Sequence, residues 1–228
     1  MKTKKVKEKK CAYCKQPFIP FQFNQKVCNW PSPCAEKAGK EKIAKERERI
    51  ERNRKKLENK EREEFRKSQL TQSQWLKVLQ PFVNKIARLI DSDFPCISSS
   101  RTSGKWNGGH YYTVKAHGNL RFHLFNIYKQ SFSDNHHKSG NITEYTYNLF
   151  RIFGSDFVNN EIFTLDVKYP VLKLSIPEIK EKIEICRSII KRQEKGEFIA
   201  KTTQERIDIR KELNELIGIY KWPDQKEN

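Results

Sequence analysis

Apolar residues fall into separate registers along this chain. From 72 to 90, Trp75, Leu76, Leu79, Val83, Ile86 and Ile90 recur at intervals of three and four, which predicts a helix with one buried side. Pro81 lies inside it and is expected either to kink the helix or to start a second one. Residues 143–166 also read as helical, with a break near Gly154. Further on, Ser175 and Glu178 have capping-box spacing, Pro177 sits in the first turn, and Ile179, Ile183, Cys186 and Ile190 line one face. Thr202 and Glu205 repeat the capping signal before a stripe of Ile209, Leu213, Leu216 and Tyr220. Cys186 lies within its apolar stripe and is read as a buried thiol.

Between 35 and 68 the apolar pattern nearly vanishes. Ala38, Ile43, Ile50 and Leu57 are isolated at irregular spacing among Glu, Lys and Arg, with no Pro. This predicts a solvated helix bridging two modules, supported by pairs such as Glu46–Arg49. Residues 95–141 hold Gly, Ser, aromatics and all five histidines, and no internal repeat is present. No stretch approaches the roughly 20 apolar residues of a membrane helix, so no membrane partner is expected. The opening MKTKKVKEKK is basic but lacks an apolar segment, so a secretory signal is not expected either. The expected location is a reducing cytoplasm, where cysteines bind metal more readily than they form disulfides.

Charge narrows the partners. The 228 residues carry 46 Lys and Arg against 28 Asp and Glu, a formal net charge of +18. Such a surplus favours phosphate polymers, which release counterions when neutralised. Residues 1–10, with six lysines and one glutamate, read as a disordered basic arm.

Four of the six cysteines fall in residues 11–34, as Cys11-x2-Cys14 and Cys28-x5-Cys34. Two thiolate pairs at this spacing can close a tetrahedron around Zn²⁺, giving a knuckle or ribbon with a structural rather than a catalytic metal. Phe18, Pro20 and Phe23 lie between the pairs and are expected to form its small core.

The histidines form two groups of interest. In Trp106-Asn107-Gly108-Gly109-His110-Tyr111-Tyr112, the glycine pair is read as a turn and His110 as the start of an aromatic strand. After Asn126-Ile127, the run Asp134-Asn135-His136-His137-Lys138-Ser139-Gly140-Asn141 predicts a short helix with Asn135 and Lys138 on one face and a stop at Gly140. A neutral imidazole can deprotonate water near neutral pH, and a hard cation such as Mg²⁺ or Mn²⁺, held by few oxygen ligands, can stabilise a phosphodiester under attack. His117 and His123 fit solvated or incidental roles better.

These residues resemble the NinG (lambda Rap-like) recombination-protein family of lambdoid phages. The resemblance rests on the Cys-rich N-terminus, the charged helix and the Trp-bearing helix. It continues through Cys96-Ile97-Ser98, Gly109-His110-Tyr111, Leu120-Arg121-Phe122, Asn126-Ile127, Lys129-Gln130 and Asn135-x-His137-Lys138-Ser139-Gly140-Asn141. It covers roughly residues 11–160. It implies an HNH-like, or ββα-metal, nuclease that cuts branched DNA such as Holliday junctions and D-loops. It further implies His110 as general base, Asn126 as the residue bracing the loop between two strands, and Asn135 as a divalent-metal ligand. Lys138 would meet a phosphate, with His137 as a helper. The chain departs from the family pattern where Asn107 stands in place of an Asp metal ligand. Of a second set of zinc cysteines only Cys96 remains, beside Ser99, Ser131 and Asp134, so a second zinc is not expected. Packing by Trp106, Tyr111, Phe122 and Phe132 would hold the unit instead.

The expected fold class is α+β and mainly helical. It comprises a basic arm and four-cysteine zinc knuckle or ribbon (1–34), a charged helical linker (35–70), an HNH-like domain (71–166) and a C-terminal helical region (167–228). The expected function is a metal-dependent, structure-selective endonuclease on branched double-stranded DNA, with structural Zn²⁺ and catalytic Mg²⁺ or Mn²⁺. A homodimer built through the 176–220 helices is expected if junctions are cut symmetrically. The alternatives are a non-catalytic branched-DNA-binding factor and an RNA-binding or scaffold protein.

Overall fold

The computed structural model describes residues 7–220. The chain forms two compact units, residues 1–69 and 70–228, and its architecture is mainly helical with small sheets.

In the first unit, β1 (Lys9–Lys10) pairs antiparallel with β2 (Pro17–Phe18), and α1 (Pro33–Ser68) follows. Lys9 and Lys10 therefore belong to a hairpin rather than to a disordered arm, because the cysteine turn between the strands holds them in register; residues 1–6 of that arm lie outside the described residues. Ser32 caps α1 through its side chain and Pro33 opens the first turn, where a missing N–H costs nothing. No residue of α1 is buried, and Ile43, Ile50, Leu57 and Phe65 are all more than half exposed. Side-chain pairs carry this helix instead. The predicted Arg49–Glu46 pair closes at 2.7 Å, and Lys67–Glu63 repeats the device near the C-terminus. Each such exposed pair adds only about 0.3–0.5 kcal/mol.

The second unit starts with α2 (Gln72–Ile90), capped by a Thr71–Gln74 capping box. The helix runs through Pro81 as one element, because the proline ring is exposed and only one ladder donor is lost. Its buried stripe is Trp75, Leu79, Val83, Ile86, Ala87 and Ile90. Strands β3 (Trp106–His110) and β4 (Ile127–Ser131) form an antiparallel pair, with Trp106 opposite Ser131 and His110 opposite Ile127. Helix α3 (Phe132–His137) leaves β4 directly, and α4 (Ile142–Phe153) follows. Two single turns, α5 (Ser155–Phe157) and α6 (Leu165–Lys168), flank a π-helical turn at Val158–Ile162.

Two longer helices complete the unit. α7 (Ile176–Gln193) carries the expected Ser175–Glu178 capping box and buries Ile179, Ile183, Cys186 and Ile190 against α2. α8 (Thr203–Ile217) is capped by Thr202, but its buried side differs from the expected stripe. Arg206, Ile207, Arg210, Leu213, Asn214 and Ile217 face inward, while Leu216 is 45% exposed. The helix is turned this way because the buried Asp91 carboxylate takes Arg206 Nε at 2.9 Å and an Arg210 guanidinium nitrogen at 2.7 Å. One continuous core runs from Trp75 to Tyr220, so the helices after residue 167 share it with α2 and the strand pair.

Candidate functional site

Four cysteines come together in the first unit. The sulfurs of Cys11, Cys14, Cys28 and Cys34 all lie within 4.8 Å of one another, with Cys14 and Cys28 at 3.4 Å, and none is in a disulfide. Sulfurs around a tetrahedral zinc stand about 3.8 Å apart, so the donor set fits. Local backbone builds it. The Cys11 carbonyl accepts the Lys15 N–H in a tight turn, and Cys34 is fixed by the first turn of α1. Burial opposes ionisation of Cys11, yet the backbone N–H groups of Cys14, Tyr13 and Cys28 bring its thiol down to about 6. The Cys14 and Cys11 sulfurs push Cys28 up to about 12. Four thiolates this close need a dication between them, and the cluster can hold a metal ion such as zinc. Phe18 and Pro20 are buried as expected, but Phe23 is 94% exposed, because Cys11, Phe18 and Pro20 already fill the small interior. Cys28→Ser should lower bound zinc well below one equivalent per chain and speed amide exchange across 7–34, while residues 70–220 stay protected. Metal analysis and hydrogen exchange measure both.

The second constellation is built on the strand pair. Gly108 and Gly109 lie inside β3 rather than in a turn, so His110 ends the strand instead of starting one. The reason is close packing. A Cβ at Gly108 would fall 2.8 Å from the Asn84 Cβ on α2, and one at Gly109 would fall 2.1 Å from Gln130 Oε1. These contacts also identify the faces. Gln80, Asn84 and Arg88, one helical turn apart on α2, meet His110, Gly108 and the Trp106 carbonyl respectively. Gln130 projects from the other face, where its amide donates to Ser98 Oγ and the Gly140 carbonyl.

His110 is half-buried. Its Nε2 lies 2.9 Å from the Arg121 carbonyl oxygen. A carbonyl only accepts, so the proton is on Nε2 and the lone pair of the neutral ring is on Nδ1, which has no partner among the described residues. Burial lowers the His110 pKa below its usual value, against the opposing pull of the Arg121 carbonyl. The ring is therefore a neutral, oriented base near pH 7. Beside it, the Arg121 guanidinium donates to Gln80 Oε1 and keeps a buried Nε without a partner among the described residues.

The loop that supplies this carbonyl is held rigidly. Asn126 is fully buried; its Oδ1 accepts the Tyr112 N–H at 2.7 Å, and its Nδ2 donates to the Tyr112 and Leu120 carbonyls. It thus ties the two ends of the interstrand loop. The C-terminal region, for which the sequence suggests only a dimer interface, grips the same loop. Tyr220 Oη accepts the Phe122 N–H and donates to the Asn119 carbonyl, Asn214 accepts the Leu124 N–H, and Arg210 donates to the Leu124 carbonyl. The available signal is Arg210 and Asn214 within the capped helix α8 and Tyr220 just beyond it.

The other expected site residues are arranged differently. Asn107 alternates with His110 along β3 and lies on the Gly109 face, opposite the α2 face. Asn135 is half-buried on α3, His137 is exposed, and Lys138 pairs with Asp134 at 3.1 Å. Among the described residues, no hydrogen bond or ring contact joins His110 to Asn107, Asn135, His137 or Lys138. Asn107 and Asn135 are neutral amides, and the Asp134 carboxylate next to Asn135 is engaged by Ser98 and Lys138, so the two amides fit Mg²⁺ or Mn²⁺ only as additions to the phosphate oxygens of a ligand.

The remaining groups are structural. His123 is buried among Phe125, Tyr169 and Tyr220, and burial drops its pKa to about 3; its Nδ1 accepts the Phe125 N–H. His117 pairs with Asp166 at 3.2 Å. The remnant cysteine positions do converge. Asp134 Oδ2 accepts from Ser98 Oγ at 3.2 Å and lies 3.6 Å from Cys96 Sγ, while Ser131 caps α3. Burial would raise the Asp134 carboxyl, but serine hydroxyls and Lys138 hold it at about 2. Phe122 is buried as expected, whereas Phe132 is 40% exposed and stacks on His136 at the surface.

The family described as Bacteriophage Lambda NinG protein matches residues 3–197. Protein ninG of Enterobacteria phage H19B is 44% identical over 164 residues, covering 68% of this chain and 80% of that protein. Protein ninG of Escherichia phage 933W is 42% identical over 161 residues, with the same coverages. Protein ninG of Escherichia phage lambda is 43% identical over 89 residues, covering 39% of this chain and 44% of that protein. No solved structure matches. Among the described residues, no helix is long and apolar enough to cross a membrane.

Proposed function

The chain belongs to the Bacteriophage Lambda NinG protein family, and on that premise we propose that it is a structure-selective DNA endonuclease acting on branched recombination intermediates. One observation carries this reading: the Arg121 carbonyl fixes the His110 tautomer and leaves Nδ1 as a free, neutral base at the end of a strand. In the proposed reaction, Nδ1 takes a proton from the attacking water, and Arg121 offsets charge building on the phosphate. Asn126 and Tyr220 keep the loop carrying the Arg121 carbonyl in place. A divalent cation bound with the DNA phosphates would stabilise the leaving oxygen. Lys138 reaches a phosphate only by leaving Asp134.

A second reading has its own support. Asn107 and His110 occupy opposite faces of β3, and among the described residues the four cysteines are the one group of three or more His, Cys, Asp or Glu that could hold a metal ion. That favours a branched-DNA-binding recombination factor without turnover.

Purified full-length protein, a synthetic four-way junction and the matching linear duplex separate the two. With Mg²⁺ or Mn²⁺ the junction should be cut near its branch while the duplex is spared. Tight junction binding with no cleavage by either metal would eliminate the endonuclease and leave the binder.

A further inference from the structure

The four-cysteine hairpin displays large apolar side chains to solvent. Phe21 is 84% exposed, Phe23 94%, Trp30 72% and Ile19 57%. Isolated exposed apolar residues are ordinary, but four within twelve positions mark an interaction surface. The loop that carries them is ordered by its own amides. Gln25 Oε1 accepts the Phe21 N–H, Gln25 Nε2 donates to Asn29 Oδ1, and Asn29 Nδ2 donates to the Ile19 carbonyl at 2.8 Å. This last bond draws the limb of Ile19 and Phe21 against the limb of Trp30. Lys9 Nζ lies 5.0 Å from the Phe23 ring centroid.

Beside this patch, within the same unit, lies an open groove of about 600 Å³. Lys26, Lys42, Lys45 and Arg49 line it, against Glu41 and Glu46. Both carboxylates are engaged: Glu41 accepts the Tyr13 hydroxyl and Glu46 pairs with Arg49. Lys26, Lys42 and Lys45 have no carboxylate partner among the described residues.

Rings for stacking beside unpaired cations are the two components of a single-strand binding face. We propose that the four-cysteine hairpin and the start of α1 bind unpaired single-stranded DNA, bases on Phe21, Phe23 and Trp30, backbone along Lys26, Lys42 and Lys45. The charge disfavours an apolar protein partner, and the flat exposed rings favour bases over the closed stack of a duplex. The face would recognise the unstacked segment that a fork or displaced strand offers. This inference does not depend on cleavage.

The test uses the full-length protein without Mg²⁺ or Mn²⁺, a labelled oligothymidylate of roughly 12 nucleotides, and a duplex of equal length. The triple variant Phe21→Ala/Phe23→Ala/Trp30→Ala should weaken oligothymidylate binding at least about tenfold, because each base stack is worth roughly that much. Its duplex affinity should hold within about twofold, and its zinc content should match wild type. Trp30→Phe, which keeps a ring, should stay near wild type. Lys42→Ala/Lys45→Ala should weaken both ligands and flatten the salt dependence. Wild-type protein that binds oligothymidylate but cuts no junction with either metal would show the endonuclease reading failing while this result stands. Unchanged single-strand affinity in the triple variant would overturn the proposal. So would equal loss on both ligands, tighter binding of oligouridylate, or a change confined to self-association by sedimentation.

Discussion

His110→Ala is expected to reduce single-turnover junction cleavage by about 10²–10⁴-fold while leaving junction affinity near wild type. That range is what a positioned general base contributes. The substitution removes the Nδ1 lone pair, while the Arg121 carbonyl remains where Asn126 and Tyr220 hold it. Because the ring is only half-buried, the variant should stay folded. Lost cleavage with an intact thermal transition thus reports chemistry rather than collapse. Gln80→Ala is a useful companion. Gln80 accepts from Arg121 and touches the imidazole without supplying a base. It should cost less than His110→Ala, measured as kcat at saturating junction.

Asp91→Ala is expected to remove about 3–5 kcal/mol of stability, measured by urea unfolding. This is the usual cost of leaving buried charges without their partner. Asp91, Arg206 and Arg210 are essentially inaccessible to water, and Asp91 Oδ2 also accepts the Lys129 N–H at 3.1 Å. Its loss would strand two guanidiniums in the core and free α8 from β4. Replacing all three residues with apolar ones of similar volume should be far milder, since desolvation offsets much of the attraction. The pH dependence has a definite sign. Burial would raise the Asp91 carboxyl, but Arg210 and Arg206 hold it near 2, below the ordinary 3.8. The unfolded chain therefore takes up the proton first as pH falls. The stabilisation is complete above the ordinary value and disappears as pH drops through about 2. In the Asp91→Ala variant that part of the acid response should be missing.

Elements defined by periodicity and caps are legible in the sequence. The stripes of α2 and α7, the Ser175 box and the Cys spacing each reflect a local rule that tertiary packing does not override. The glycine pair misleads because two reasons for glycine look alike in sequence. A turn needs conformational freedom, whereas Gly108 and Gly109 make room for Asn84 and Gln130. The α8 stripe is displaced because Arg206 and Arg210 are solvent-facing by type, and only their distant partner Asp91 explains their burial. Composition points Phe23 to a core, but a four-sulfur cluster leaves little interior to fill. At the candidate site, the histidine is visible in the sequence, and the bracing Asn126 follows from the resemblance. The carbonyl that fixes the tautomer is not, because backbone acceptors carry no sequence signature. Asn107 and Asn135 follow from resemblance alone, and strand alternation separates Asn107 from the ring.

The central claim is that a neutral His110, proton on Nε2, is the base. Its most direct test is the pH dependence of single-turnover junction cleavage. Since burial lowers the His110 pKa, the rate should climb with pH to a midpoint below about 6.5, then level off before neutrality, and that rising limb should vanish in the residual activity of His110→Ala. A rising limb that persists in His110→Ala, or a variant that cuts as fast as wild type, would contradict the account.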